Sequence, residues 1–131
     1  KISMNNLDQK IFSDEKWLLF ILNQIISNAV KYKKEDPQIS FEARQSTNQI
    51  FLEIRDNGIG IAAKDLPRVT DKGYTGTTGR NYQKSTGMGL YLCKKLCSKL
   101  QLSFYIESKE EEYTKVTIGF PRNSMIFLNE E

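Results

Sequence analysis

The feature that most limits how this chain can fold is a period-two apolar row running straight into a glycine-rich turn. Ile50, Leu52 and Ile54 alternate with polar neighbours and lead into Asp-Asn-Gly-Ile-Gly-Ile at Asp56 to Ile61. Successive side chains of a strand lie on opposite faces, so Asp56 shares the core-facing side with those three residues. The fold must therefore contain a sheet with one buried face and a carboxylate at the end of an apolar row. A charge placed there needs donors.

The flanking sequence supplies partners for that strand. Asp14 reads as an N-cap, and Trp17, Leu18, Ile21, Leu22, Ile25, Ile26 and Ala29 recur at helical spacing up to the polar run Lys33 to Asp36 and Pro37. Ile39, Phe41 and Ala43 alternate, and a turn at Ser46 to Asn48 joins them to the Ile50 strand as a hairpin. From Ala62 to Thr86 periodicity disappears while glycine, threonine and basic residues accumulate, as in a functional lid or a disordered loop. Ser85 or Thr86 can cap a second helix with Leu92, Cys93, Leu96 and Leu100 on one face. Leu102, Phe104 and Ile106, an acidic turn at Glu107 to Glu112, and Thr114, Val116, Ile118 and Phe120 predict a second hairpin ended by Pro121. Lys1 to Phe12 can add an edge strand, and the tail from Met125 fits either state.

With 131 residues, 39% hydrophobic and 27% charged, a single domain is expected, neither disordered nor fibrous nor a disulfide scaffold. The longest apolar stretch, Trp17 to Leu22, is too short to cross a bilayer and follows no basic leader, so a soluble, cytosolic piece is expected. The net charge of +3 is mild, and its basic residues are dispersed among acidic ones, which gives no footprint for a nucleic acid. Cys93 and Cys97 share a helix face, read as reduced core thiols, and have no histidine to complete a metal site.

Three segments are candidates for chemistry. At Asp56, either an ordinary turn lets the carboxylate bond nearby amides, or a ligand donor such as a purine amino group satisfies it while Gly58 and Gly60 let the backbone approach the ring. Ser-Thr-Gly-Met-Gly-Leu at Ser85 to Leu90 puts two glycines at a helix start, costing about 1 kcal/mol each relative to alanine. Exposed amides for a phosphate compensate for that, or else a tight turn with close helix packing does. Gln24, Asn28 and Lys31 fall along one edge of the first helix, as a solvated edge or as an oxygen for Mg²⁺ from Asn28 with Lys31 and Tyr32 on phosphate. No GxxxxGK[ST] occurs, and no GxGxxG follows a strand.

In order, the amide-bearing helix, the strand ending in DNGIGI, the glycine-rich lid and GMGL at a helix start resemble the ATPase superfamily of gyrase, the heat-shock chaperone, sensor histidine kinases and mismatch-repair proteins. NQIISNAVKY resembles the N box of histidine kinases, DNGIGI the G1 box and STGMGLYL the G2 box. The resemblance covers Asp14 to Pro121 and implies an α+β fold, a two-layer α/β sandwich whose mixed, mainly antiparallel sheet packs on helices. It implies Asn28 as the Mg²⁺ ligand, Lys31 and Tyr32 facing phosphate, and Asp56 as the adenine reader with Thr114 close by. Nucleotide contacts are implied for Gly58, Gly60 and Ile61, and for Thr86, Gly87, Met88, Gly89 and Leu90.

The lid, with Lys-Gly-Tyr-Thr-Gly at Lys72 to Gly76, is similar to that of Gram-positive intramembrane-sensing kinases paired with peptide-antibiotic transporters. By that likeness Arg80 or Lys84 would swing toward the β- or γ-phosphate while Lys72 and Tyr74 help anchor the lid, and Lys72, Gly73, Tyr74, Thr75 and Lys84 are implied as nucleotide-binding. Two positions depart from the family pattern: Gln24 stands where a second asparagine is common, and Tyr113 where glycine usually precedes the closing threonine. ATP-hydrolysing relatives carry a glutamate general base at the Gln24 position, and a neutral amide cannot take that proton, so Gln24 favours a kinase.

The resemblance thus implies an enzyme that moves the γ-phosphoryl group of Mg²⁺·ATP to a histidine. This chain has no histidine, so the acceptor would lie on a dimerisation domain of a membrane-anchored parent, with a response regulator downstream and an ABC transporter as a further partner. The isolated domain would be a monomer. Competing readings are an ATP hydrolase, an anti-sigma-type serine kinase, a non-catalytic ATP-sensing module and a small interaction domain.

Overall fold

A computed structural model of the chain describes residues 2–5, 15–74 and 89–121. Among these, five strands form one sheet: β1 (Ile2–Asn5), β2 (Ile39–Gln45), β3 (Gln49–Asp56), β4 (Ser103–Lys109) and β5 (Tyr113–Pro121). Their order is β1-β2-β3-β5-β4. β1 runs parallel to β2 and every other neighbouring pair is antiparallel, so the sheet is mixed and mainly antiparallel, as expected. The helices are α1 (Glu15–Lys31) and α2 (Gly89–Lys99), with a 3-10 turn at Leu66–Arg68.

Helical spacing explains which side of α1 is buried. Ile21, Ile25 and Ala29 recur every fourth residue and are buried, with Leu18 and Leu22 packed at the margin. On α2 the buried residues are Cys93 and Cys97, and the Cys93 thiol donates to the carbonyl of Ile21 on α1 at 3.7 Å. Burial pushes the Cys93 thiol up to about 12, helped by Cys97 alongside, and Cys97 to about 11. Both are free thiols in the core, as the sequence suggested.

The sheet offers those helices one apolar face. Ile50, Ile54, Val116, Ile118 and Phe120 are its most buried members, and all of these but Ile50 join Ile21, Ile25, Cys93, Cys97 and Leu102 in one core cluster. The opposite face is charged. Arg44 and Lys115 flank Glu53, and Lys115 also reaches Glu107 at 3.2 Å.

Turn chemistry fixes the connections. Ser46 Oγ accepts from the Gln49 amide at 3.1 Å in the β2–β3 turn. α2 ends with Gln101 at φ 60, where the Leu102 amide bonds the carbonyl of Cys97 at 2.8 Å and the Gln101 amide that of Ser98 at 3.1 Å. This pattern closes many helices, here with glutamine in the left-handed place and buried Leu102 and Cys97 as its apolar contact.

Two expectations change. The strand β4 continues through Lys109, so the acidic turn is shorter than Glu107 to Glu112: alternation persists there in Ser108, a polar residue on the core-facing side. The stretch from Ala62 was expected to be irregular, yet through Tyr74 it is folded by its own hydrogen bonds, Leu66 to Ala62 and Arg68 to Asp65 among them. Its Ala62 and Asp65 are buried. The proposed caps Asp14, Ser85 and Thr86 lie outside the described residues, as does the tail from Met125.

Phe120, only 1% exposed, anchors the core. Phe120→Ala should destabilise the domain by about 3–5 kcal/mol in urea unfolding. Tyr105→Ala, at a side chain 56% exposed on the outer face, should change stability by about 0.5 kcal/mol or less.

Candidate nucleotide site

The site begins with strand register. Asp56 on β3 lies directly across from Thr114 on β5, which lies across from Ser108 on β4. The next row inward is Ile54, Val116 and Ile106. One polar rung therefore crosses the helix-facing side of the sheet at its end, and the apolar core begins one rung away.

Asp56 is half-buried. Its Oδ1 accepts from the Gly58 amide at 2.9 Å, which is the turn bond anticipated from the sequence. Among the described residues that is the one donor given to the carboxylate, and burial outweighs it: the Asp56 pKa is raised above its ordinary value by desolvation, with the Gly58 amide pulling the other way. The turn reading accounts for one oxygen, and the other has no protein donor among the described residues.

Ser108 holds the rest of the rung. Its Oγ accepts from the Ile61 amide at 2.8 Å, donates to the Tyr113 carbonyl at 2.6 Å, and lies 3.0 Å from Thr114 Oγ1. The sequence reading missed Ser108, although its parity with Phe104 and Ile106 marks it as a polar end to an apolar row, as with Asp56. Tyr113 points the other way: its ring lies under Arg55 at 4.1 Å and its hydroxyl donates to Glu107 at 2.7 Å. The departure at Tyr113 thus falls on the face opposite Thr114.

The glycines of the turn answer first to the protein's own backbone. A Cβ on Gly58 would come within 2.6 Å of the Tyr32 carbonyl oxygen and 2.9 Å of Asp56 Oδ1. Gly60 has φ +71, and a Cβ there would lie 2.3 Å from the Lys109 carbonyl oxygen. Between them, the Ile59 amide bonds the Tyr32 carbonyl at 3.0 Å and the Ile59 carbonyl accepts from the Glu111 amide at 2.6 Å. Asn57 secures the near side, accepting from the Gln38 amide at 2.8 Å and donating to the Asp36 carbonyl at 3.1 Å. The turn is clamped between the end of α1 and the β4–β5 turn.

Gln24, Asn28, Lys31 and Tyr32 are all half-buried along α1 and just beyond it. The Lys31 ammonium lies 5.5 Å from the centre of the Tyr32 ring. Gln24 Oε1 would stand 2.8 Å from a Cβ on Gly89, so its amide touches the first residue of α2. Gly89 and Leu90 open that helix, half-buried. Two of the three segments thus meet at Gln24 and Gly89, and the third meets α1 at Tyr32.

Of the lid, Tyr74 is tied down: its hydroxyl donates to buried Asp65 at 2.5 Å, and Arg68 lies 4.4 Å over its ring. Asp65 had no periodic pattern to announce it. Gly73 adopts φ +76, and Lys72 is exposed. Thr75, Arg80, Lys84, Thr86, Gly87 and Met88 lie outside the described residues.

Residues 13–124 match the family described as histidine kinase-, DNA gyrase B-, and HSP90-like ATPase. The chain belongs to this family. Among curated relatives it is 44% identical over 113 residues to the sensor protein BceS of Bacillus subtilis, covering 86% of this chain and 34% of that one. It is 36% identical over 120 residues to the sensor protein kinase GraS of Staphylococcus aureus strain JH1, covering 92% and 34%. The chain thus spans about a third of the length of the curated relatives it matches. In fold it is similar to the mycobacterial sensor histidine kinase MprB, with a TM-score of 0.78 at 17% identity over 92% of this chain and 80% of that one. The α+β fold and the likeness to Gram-positive sensor kinases agree with the sequence reading.

Burial of the Asp56 carboxylate carries a cost in stability. The raised folded-state pKa means that the folded protein binds more protons than the unfolded chain between the two pKa values, so stability falls as pH rises through that window. Asp56→Asn should therefore raise the urea midpoint of the ligand-free domain at pH 7, with the difference from wild type shrinking as pH falls below the folded-state pKa. A lower midpoint at pH 7 would mean that the carboxylate is fully satisfied within the protein.

Proposed function

We propose that the chain binds Mg²⁺·ATP between α1, the Asp56 turn and the start of α2, and transfers the γ-phosphoryl group to a histidine carried by another part of a longer parent protein. One observation carries this reading: among the described residues Asp56, half-buried and across from Thr114, accepts from the Gly58 amide alone, and an adenine amino group would supply a second donor. Family membership supports it.

The remaining residues take roles according to their chemistry. Asn28 offers an amide oxygen, a hard ligand suited to Mg²⁺. Among the described residues there is no group of three His, Cys, Asp or Glu side chains that could hold a metal. A lone protein oxygen fits an ion that keeps its waters and is shared with phosphate, which is how Mg²⁺ usually binds in phosphoryl-transfer sites. When bound, that ion neutralises charge on the phosphates.

Lys31 would leave the Tyr32 ring for phosphate oxygens, and the amides of Gly89 and Leu90, which open α2, would face the same anion, joined on this reading by Gly87 and Met88. Arg80 or Lys84 would add charge from the lid, whose base Tyr74 and Asp65 pin. Gln24, against Gly89, holds the two helices in register without acting as a base. Phosphoryl transfer depends mainly on such positioning and charge neutralisation.

The acceptor histidine would belong to a dimerisation domain of the parent, for this chain has none. A response regulator would then receive the phosphoryl group. We place the parent in the bacterial cell membrane, with a peptide-antibiotic ABC transporter as a partner. Among the described residues no helix is long and apolar enough to cross a membrane, so an anchor would come from elsewhere in the parent.

Calorimetric titration with a non-hydrolysable ATP analogue, with and without Mg²⁺ and against GTP, tests the site. Selective adenine-nucleotide binding is expected, and Asp56→Ala should weaken it by at least about 1–3 kcal/mol. Unchanged binding in that variant would rule out Asp56 as the adenine reader. Asn28→Ala should chiefly lower Mg²⁺-dependent transfer to a separately supplied histidine-bearing domain. Nucleotide binding without transfer to any such domain would favour a sensing module.

A further inference from the structure

The proton count on the polar rung leads beyond Asp56. A serine hydroxyl has one proton to give and two lone pairs with which to accept. Ser108 lies 2.6 Å from the Tyr113 carbonyl oxygen, and a carbonyl cannot donate, so the Ser108 proton is spent there. One Ser108 lone pair takes the Ile61 amide at 2.8 Å. The 3.0 Å contact with Thr114 Oγ1 can then be a hydrogen bond in one sense only, with Thr114 donating.

The consequence falls on Thr114. Its proton is fixed toward Ser108, and its remaining hydrogen-bonding capacity is lone pairs alone. Directly across the strand pair, on the same face, stands Asp56, also an acceptor. Two neighbouring acceptors with no proton to offer favour an exocyclic amino group, or a water bridging to it. They oppose an edge carrying a carbonyl.

We propose that Ser108 is a specificity-determining positioning residue: by holding the Thr114 hydroxyl as an acceptor, it makes the Asp56 rung select a purine bearing an amino group over one bearing a carbonyl at the same place. This rests on the nucleotide reading above and extends it to a residue that touches no ligand. Its effect is on discrimination more than on affinity. A Thr114 released from Ser108 can turn its proton toward a ligand carbonyl, which the wild-type rung forbids.

The test compares ADP with inosine diphosphate, which has a carbonyl in place of the adenine amino group, by calorimetry with Mg²⁺ on the whole chain. Wild type should prefer ADP. Ser108→Ala should reduce the ratio of the two affinities about fivefold or more, the scale of one hydrogen bond, mainly by improving inosine diphosphate binding. Ser108→Thr, which keeps the hydroxyl, should retain the wild-type ratio.

Thr114→Val, which keeps the shape and removes the oxygen, should lower the ratio whether or not Ser108→Ala folds. Adding Ser108→Ala to it should change the ratio no further, because no threonine proton remains to be held. A wild-type ratio in Ser108→Ala, or in Thr114→Val, overturns the proposal while leaving the nucleotide site intact. An equal further loss in the double variant assigns Ser108 a structural role and overturns it too. If wild type binds neither diphosphate, the nucleotide reading falls and takes this one with it.

Discussion

The pairing of β3 with β5 governs both the core and the site. Eight consecutive residue pairs, Gln49 with Pro121 through Asp56 with Thr114, share one register. A slip of one residue would turn Ile50 and Ile54 on one strand toward solvent relative to Val116, Ile118 and Phe120 on the other. Burial of those side chains resists the slip, and so the hydrophobic effect fixes where the polar rung stands. Asp56 and Thr114 face each other because Ile50 and Phe120 do.

Around that rung the structure spends its backbone polar groups on holding one turn still. Amides and carbonyls of Ile59, Asn57 and Ile61 reach the loop after α1, the β4–β5 turn and Ser108. Gly58 and Gly60 are required because carbonyl oxygens of Tyr32 and Lys109 occupy the space a side chain would need. A turn anchored in this way from both sides leaves the Asp56 carboxylate little freedom to find another donor. On the proposed reading, the same rigidity preorganises it for a ligand.

Much of this was legible beforehand, wherever a period reported on burial. The helix at Ile21, Ile25 and Ala29, both hairpins, the thiol pair at Cys93 and Cys97 and the place of Asp56 all follow from spacing. Motif order carried the family. What escaped had no period to read. Asp65 is buried because Tyr74 and the 3-10 turn enclose it, a tertiary circumstance in an aperiodic stretch. Ser108 was hidden by composition: the acidic run from Glu107 suggested a turn, and that outweighed an alternation still in force through Lys109. The glycines of the Asp56 turn looked like room for a ligand because a sequence cannot reveal that a distant carbonyl already stands there.

The β4–β5 connection has a consequence for how such chains can vary. A short, acidic, solvent-exposed hairpin tip is ordinarily where insertions accumulate without harm. Here the Glu111 amide holds the Ile59 carbonyl, the Lys109 carbonyl packs on Gly60, and the Lys34 ammonium donates to the carbonyl of Glu111. The tip is thus a fixed spacer between three segments far apart in the chain. Its length is therefore constrained by backbone contacts, and changes in length should be found instead at the opposite end of the sheet, at the Ser46 turn.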